Sequence, residues 1–189
     1  YGLLMQGLAL GLAASASPGP FQAYLINQAL ANGFRGAAPV AFAPLIADIP
    51  IVIASLLLLD QLSPELLRLI NIAGGVFVLY LAISLGKSWR ASKGAANPES
   101  SQAPPGTLKR SLGRGILMNL FSPGPYTFWI LVSGPILVAA LRESTAQGLA
   151  FLLGFYAALI GGFLAIAALG VFSLIRDLYA ATPEAEQAA

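Results

Sequence analysis

A series of long apolar runs constrains this chain more than any other feature. A run of about 20 apolar residues crosses the roughly 30 Å hydrocarbon core of a bilayer as a helix. Only 10% of the side chains are charged, whereas a typical soluble domain has about a quarter. We therefore predict an all-α integral membrane protein, a polytopic helical bundle with five spans. The runs are 2–31, 37–59, 66–85, 115–141 and 146–175.

The first run has an alternative interpretation as a cleaved signal peptide. Small residues at 13–17 resemble a cleavage site. However, no basic segment precedes the run, and apolar residues continue beyond the small ones. Both observations favour a membrane span.

The composition excludes several kinds of site. The chain has no cysteine and no histidine, which excludes disulfides, thiolate metal sites and the commonest metal ligand. We predict no cofactor, no metal site and no enzymatic activity. No basic face for nucleic acid is evident, so the expected partners are the lipid bilayer and a small-molecule substrate.

The basic residues predict an orientation. Eight of them fall on one side of the predicted spans and two, Arg68 and Arg142, on the other. Since basic residues mark cytoplasmic loops, the hydrophilic linker 87–114 should be cytoplasmic and the N-terminus outside. The tail 176–189 is too polar to span and is expected to fray.

Two apolar runs contain the same helix-breaking tetrapeptide. Proline lacks the N–H that a helix needs, so each tetrapeptide should interrupt its span. The breaks lie 105 residues apart, which suggests a repeat of three helices entering the membrane from opposite faces, as in secondary transporters. Residues 1–86 would form the first repeat and 115–175 the second, with its sixth span missing; two independent kinks are the alternative. The tetrapeptides are Ser17, Pro18, Gly19 and Pro20, and Ser122, Pro123, Gly124 and Pro125.

Several short motifs, in this order and spacing, resemble the LysE/RhtB-type amino-acid exporters. They are the first Pro-Gly-Pro, the turn 33–36 followed by Ala47-Asp48, and the glycine-led stretch 74–82. The resemblance implies an exporter in a bacterial inner membrane. The chain departs from the family pattern at Gly124, where the family usually has a lysine, and in lacking a sixth span.

Asp48 is the carboxylate placed deepest within a predicted span. A charge at the bilayer centre costs at least about 2.5 kcal/mol, and such residues usually face a cavity or a partner. We interpret Asp48 as a residue that couples transport to a proton or monovalent cation. The alternative is a neutral acid that hydrogen-bonds a helix break and stabilises packing.

Backbone carbonyls near Ala14 and Asn119 should be freed one turn before the breaks. They would suit an ammonium group, and a helix N-terminus after a break would suit a carboxylate. Polar side chains beside the breaks are expected to line the pathway or to bond between helices. We expect Trp129, like Trp89, at a membrane interface or in packing. The polar residues are Gln22, Tyr24, Asn27, Gln28, Asn119, Tyr126 and Thr127.

The first hypothesis is a secondary exporter of a small polar metabolite, an amino acid or derivative, driven by protons or membrane potential. The alternatives are a divalent metal-cation transporter, for which the donor set is thin, and a membrane subunit that transports nothing. The odd number of spans favours pairing with a second copy as a homodimer.

Overall fold

The computed structural model describes residues 2–63, 65–66, 68–70, 72–73, 75–76, 79, 83 and 108–186. These residues form helices joined by short breaks, with no strand among them. The all-helical membrane fold is thereby confirmed. The helices are α1 Gly2–Ala16, α2 Pro20–Ala37, a 3₁₀ segment Ala38–Phe42, α3 Ala43–Asp60, α4 Leu108–Leu120, α5 Pro123–Phe128, a π-helical segment Trp129–Ser133, α6 Gly134–Glu143 and α7 Thr145–Glu186.

Three helical stretches are long and apolar enough to cross a membrane. They are Pro20–Leu59, Pro123–Glu143 and Thr145–Ser173, and the apolar α1 is shorter. The first stretch has 40 residues, or about 60 Å at 1.5 Å per residue, which is too long for one crossing. Half of the third predicted span, 66–85, lies outside the described residues, as does Trp89.

Gly33 divides the 40-residue stretch. Its φ of 69° and ψ of 177° leave the helical region, and positive φ is available to glycine at little cost. The sequence predicts a turn at 32–36, and the structure has a kink at Gly33 within that range, although the residues on either side stay helical. The helical residues up to Ala37 therefore follow the kink and do not lengthen the first span.

Helix α1 packs along α7 through glycines, and the two helices run parallel. A Cβ at Gly7 or Gly11 would collide with backbone atoms of Phe155, and one at Gly154 with the carbonyl of Leu4. Further along, Gly162 meets the side chain of Ser15. Glycines allow helices to approach this closely in membranes, so α1 is fixed against α7 by backbone contact.

The second broken span begins earlier than its apolar run. Helix α4 starts at Leu108, inside the segment 87–114 that the sequence predicts as linker; residues 87–107 lie outside the described part. The carboxyl-terminal tail also differs from the expectation of fraying, because α7 continues as a helix to Glu186. Ser144 separates α6 from α7, and its Oγ accepts a hydrogen bond from Gln147 N at 3.2 Å, which caps α7.

The two broken spans pass each other in opposite directions. Tyr24 of α2 contacts Ser111 of α4, whereas Phe21, earlier in α2, lies beside Gly115, later in α4. Helix α3 instead runs parallel to α4, with Ala43 at Gly115 and Asp48 at Asn119. These directions are those that an inverted repeat requires, and the repeat itself stays a prediction. The arrangement brings both breaks to one level beside Asp48.

Candidate functional site

A cavity of about 210 Å³ lies where the two helix breaks meet. Ten of the residues predicted from the sequence line it. From the first half of the chain they are Ser17, Pro18, Gly19, Pro20, Gln22 and Asp48, and from the second half Asn119, Ser122, Gly124 and Pro125. Four other predicted residues, Tyr24, Asn27, Pro123 and Tyr126, are not among the residues that line the cavity.

The two breaks close in the same way. Ser17 N donates to Ala14 O at 3.2 Å, and Ser122 N donates to Asn119 O at 3.2 Å. The expectation that these two carbonyls are freed was therefore wrong, because a tight turn satisfies each of them once. A carbonyl oxygen has a second lone pair, so each can still accept one hydrogen bond from a ligand.

The breaks differ in length although their sequences match. Three residues, 17–19, separate α1 from α2, and Pro20 is the first residue of α2. In the second break α5 already begins at Pro123, because proline fits the first helical turn, where its missing N–H would have no partner. Thus Pro123 and Pro125 start a helix instead of interrupting one.

Side-chain hydrogen bonds to the backbone stabilise each break. Gln22 Nε2 donates to Ser15 O at 3.1 Å across the first break. Tyr126 OH donates to Leu120 O at 2.7 Å across the second, and Thr127 Oγ1 donates to Pro123 O at 3.0 Å. The breaks are consequently held in defined geometry and present fixed walls to the cavity.

The N-terminus of α2 opens onto this cavity. The first hydrogen bond of the turn joins Ala23 N to Gly19 O at 3.0 Å, so the N–H groups of Phe21 and Gln22 precede the helical ladder. Unpaired N–H groups at a helix N-terminus favour an anion. From the second break, a Cβ at Gly124 would find its nearest neighbour, Ser122 Oγ, at 3.8 Å, an ordinary van der Waals contact, so this position has room for a small side chain.

Asp48 is the charged residue of the cavity wall, and three helical segments supply its hydrogen-bond donors. Asn119 Nδ2 donates to Oδ1 at 2.8 Å. Trp129 Nε1 and the hydroxyl of Tyr156 donate to Oδ2, each at 3.3 Å. Asp48 is 3% exposed, so these three donors and the contents of the cavity surround its carboxyl group in place of bulk water.

The donors differ in what they can do if Asp48 gains a proton. An indole N–H can only donate, whereas a tyrosine hydroxyl can both donate and accept. A protonated Asp48 needs an acceptor, and rotation of the Tyr156 hydroxyl supplies one. The arrangement therefore accommodates both states of the carboxyl group through reorientation of a single O–H.

Trp129 lies in packing, one of the two places predicted for it. The indole is 1% exposed, and its Nε1 also donates to Asp48, which the sequence did not indicate. Trp129 begins the π-helical segment, in which the N–H of Gly134 bonds to Trp129 O. Single π-helical turns of this kind often occur at functional sites, and the indole that begins this one lies inside the protein.

Several residues of the site were missed because they carry no charge. Tyr156 lies in the apolar run of α7, and Phe155, Leu159 and Phe163 line the cavity from the same helix. The spacing of four residues in this stripe was a usable signal, since i and i+4 residues share a helix face.

Other polar residues predicted near the pathway bond between or within helices. Tyr24 OH donates to Ser111 O at 3.0 Å, linking α2 to α4. Gln28 Oε1 accepts a hydrogen bond from Asn32 Nδ2 at 2.9 Å, and Asn27 is half-buried on the same helix. For Tyr24 the alternative of a bond between helices describes what the structure shows, whereas Gln28 bonds within its own helix.

A family model described as LysE type translocator matches residues 12–182. The matched range contains both helix breaks and all residues of the Asp48 network. No curated protein and no solved structure gave a significant match.

Proposed function

The chain belongs to the LysE type translocator family, and from this premise we propose that it is a secondary transporter that exports a small polar metabolite, an amino acid or a derivative. As a member of this family it is a membrane transporter and not an enzyme. The resemblance noted in the sequence is thereby confirmed at the level of the family. The substrate, the direction and the coupling belong to the proposal.

The observation that carries the proposal is the convergence of two helix breaks on one cavity. Interrupted helices are tolerated in membranes only where the backbone is buried in protein or lines a wet cavity. Here the breaks run in opposite directions and flank Asp48. Broken helices crossing near the midplane are typical of substrate sites in secondary transporters.

A zwitterion fits the polar groups of the cavity. The N–H groups that begin α2 suit a carboxylate. The second lone pairs of the Ala14 and Asn119 carbonyls, together with Asp48, suit an ammonium group. This combination supports an α-amino acid over a simple anion or a neutral sugar.

Asp48 is proposed as the coupling residue. It is buried in a span with no basic residue among the described residues that line the cavity. A carboxylate in that position is neutralised by a proton, a monovalent cation or the ammonium group of the substrate. Exchange among these partners would couple substrate movement to an ion gradient.

The proposal extends to the surroundings of the protein. We place it in a bacterial inner membrane, as the family resemblance implies. The N-terminus would lie outside and the linker 87–114 in the cytoplasm, because the basic residues are distributed in this sense. We also propose that two copies of the chain pair as a homodimer.

The two alternatives receive less support. Within the part of the chain that the structure describes, no group of three acidic, histidine or cysteine residues gathers to bind a metal ion. A divalent cation usually requires several oxygen ligands, and the cavity offers one carboxylate. A subunit that transports nothing would not require a cavity between two breaks.

Reconstitution into liposomes tests the proposal. Vesicles containing the purified protein are loaded with a mixture of labelled amino acids, and their release is followed with and without an imposed pH gradient. We expect release of some members of the mixture, accelerated by the gradient. Release no faster than from protein-free vesicles, for every member and in both conditions, contradicts it.

A further inference from the structure

One wall of the cavity is a purely apolar stripe on α7. Phe155, Leu159 and Phe163 follow one another at intervals of four residues, are at most 5% exposed, and line the cavity. We propose that this stripe binds the side chain of the substrate, so that the protein selects neutral amino acids with an apolar side chain and rejects charged ones. The inference rests on the proposed function and names its substrate class.

The two ends of the stripe are held by other rings. Phe163 packs on Phe21 with ring centroids 5.0 Å apart. Phe155 packs edge-on against Trp129 at 5.2 Å and lies 5.9 Å from Phe128. Aromatic pairs at such distances are favourable beyond the area they bury. Each end of the stripe is thus attached to the helix that follows one of the two breaks.

Leu159 lies between these anchored rings. Its backbone lies in close contact with α1, because an ideal Cβ at Gly11 would lie 3.0 Å from Leu159 N. This contact limits movement of α7 towards α1. A ligand in the cavity meets Leu159 as the centre of a wall whose ends are held by ring contacts.

The charge of the cavity limits the ligand. Asp48 is the one ionisable acidic or basic side chain among the described residues lining the cavity, and no lysine or arginine lines it. An ammonium or carboxylate on the substrate side chain would face the stripe without a partner, and burying an unpaired charge is strongly unfavourable. An apolar side chain gains free energy there by leaving water.

The size of the cavity agrees with an amino acid. Its volume of about 210 Å³ corresponds to about seven water molecules at roughly 30 Å³ each. A ligand that places its α-amino and α-carboxyl groups at the breaks leaves a limited space against Leu159. The structure therefore assigns a selection by size as well as by charge.

The test measures uptake of labelled leucine, methionine, phenylalanine, lysine and glutamate by counterflow in liposomes that contain the wild-type protein. We expect leucine and methionine to exceed lysine and glutamate by about tenfold or more, as apolar pockets discriminate among side chains. Transport of lysine or glutamate at the rate of leucine overturns the inference but leaves the proposed function intact. If none of the five amino acids is transported, the inference is overturned. The proposed function fails as well only if no member of the labelled mixture is released faster than from protein-free vesicles.

Variants of the stripe locate the selection. Leu159→Ala enlarges the cavity, so the ratio of phenylalanine to leucine transport should rise about three- to tenfold. A ratio taken within one sample does not depend on how much protein folds. Leu153→Ala is the matched control, because Leu153 lies on the same helix and is 69% exposed. An unchanged ratio in Leu159→Ala, or an equal change in the control, contradicts the role of the stripe.

Discussion

At the scale of single residues, Asp48 is the group on which energy coupling should depend. Asp48→Asn keeps the shape of the side chain but removes the charge. It also replaces one carboxylate oxygen by an NH₂ group, which cannot accept the hydrogen bonds that this oxygen accepted. We expect acceleration of transport by a pH gradient to fall by about tenfold or more, in line with the loss of hydrogen bonds to a charged group. Counterflow exchange without a gradient should persist. A full response to the gradient in Asp48→Asn would refute coupling through this residue.

Tyr156 should set how transport depends on pH. Its hydroxyl can donate to a charged Asp48 and, after rotation, accept from a protonated one. Tyr156→Phe removes this hydrogen bond from both states, so the pH profile of exchange should shift while some transport at a single pH remains. The matched control is Tyr126→Phe, which also deletes one hydroxyl, bonded to Leu120 O at the second break. If both variants keep the wild-type pH profile, Tyr156 has no such role.

The sequence predicted part of this network for a physical reason. A carboxylate and an asparagine inside apolar runs are costly to bury, so Asp48 and Asn119 were recognisable one by one. Trp129 and Tyr156 are ordinary residues of apolar helices, and nothing local marks them. They reach Asp48 across 81 and 108 residues of sequence, and such contacts depend on how the helices pack.

At the scale of helices, close contact between α1 and α7 should support the whole bundle. In Gly11→Leu the new side chain would collide with the backbone of α7, where Phe155 O already occupies the position of a Cβ. We expect a lower midpoint of thermal unfolding in detergent, with a loss of about 1–3 kcal/mol as for overpacking in general. Gly161→Leu is the control, because a Cβ there meets no atom within 4 Å. Equal midpoints for the two variants contradict the structural role of Gly11.

The apolar runs of the sequence predicted that these segments are helical. They did not predict where the backbone departs from regular α-helix. The π-helical segment precedes Pro135, whose ring excludes the carbonyl four residues earlier and whose nitrogen donates no hydrogen bond. Gly134 allows its backbone to approach Trp129 O across the wider π-helical turn, since a Cβ there would collide with Trp129 O and lie 2.7 Å from Leu59 Cδ1. Proline near a helix interior predicts a distortion, but the sequence does not say which kind.

At the scale of the whole molecule, we interpret the cavity as sealed on one side of the breaks, where the helices pack closely. Towards the linker, Phe21, Val40 and Ala43 pack within 3.5 Å of the position of a Cβ at Gly115, and Tyr24 bonds to Ser111 nearby. On the other side a second cavity, of about 320 Å³, lies between α1 and α6, with Gln6 and Glu143 among its lining residues. Transport by alternating access requires the sealed side to open, which separates α4 from α2 and from the beginning of α3.

A reversible disulfide can test this movement, because the natural chain contains no cysteine. The Cβ of Ala43 lies 3.1 Å from an ideal Cβ at Gly115, slightly closer than the usual separation of about 3.5–4.5 Å in disulfides. The double variant Ala43→Cys and Gly115→Cys should therefore cross-link after a small shift. We expect oxidation to stop counterflow and reduction to restore it in the same vesicles.

A second pair of cysteines separates loss of movement from the mere presence of a cross-link. The Cβ of Ser15 lies 2.7 Å from an ideal Cβ at Gly162, below the usual separation of about 3.5–4.5 Å in disulfides. After a local shift, Ser15→Cys and Gly162→Cys can join α1 to α7, which glycine contacts already hold together. This cross-link should leave counterflow almost unchanged. If transport continues with the first pair oxidised, the sealed side does not open between α3 and α4. If oxidation of the second pair also stops transport, α1 must move relative to α7 during transport. In that case the contact between α1 and Leu159 does not fix the wall of the cavity.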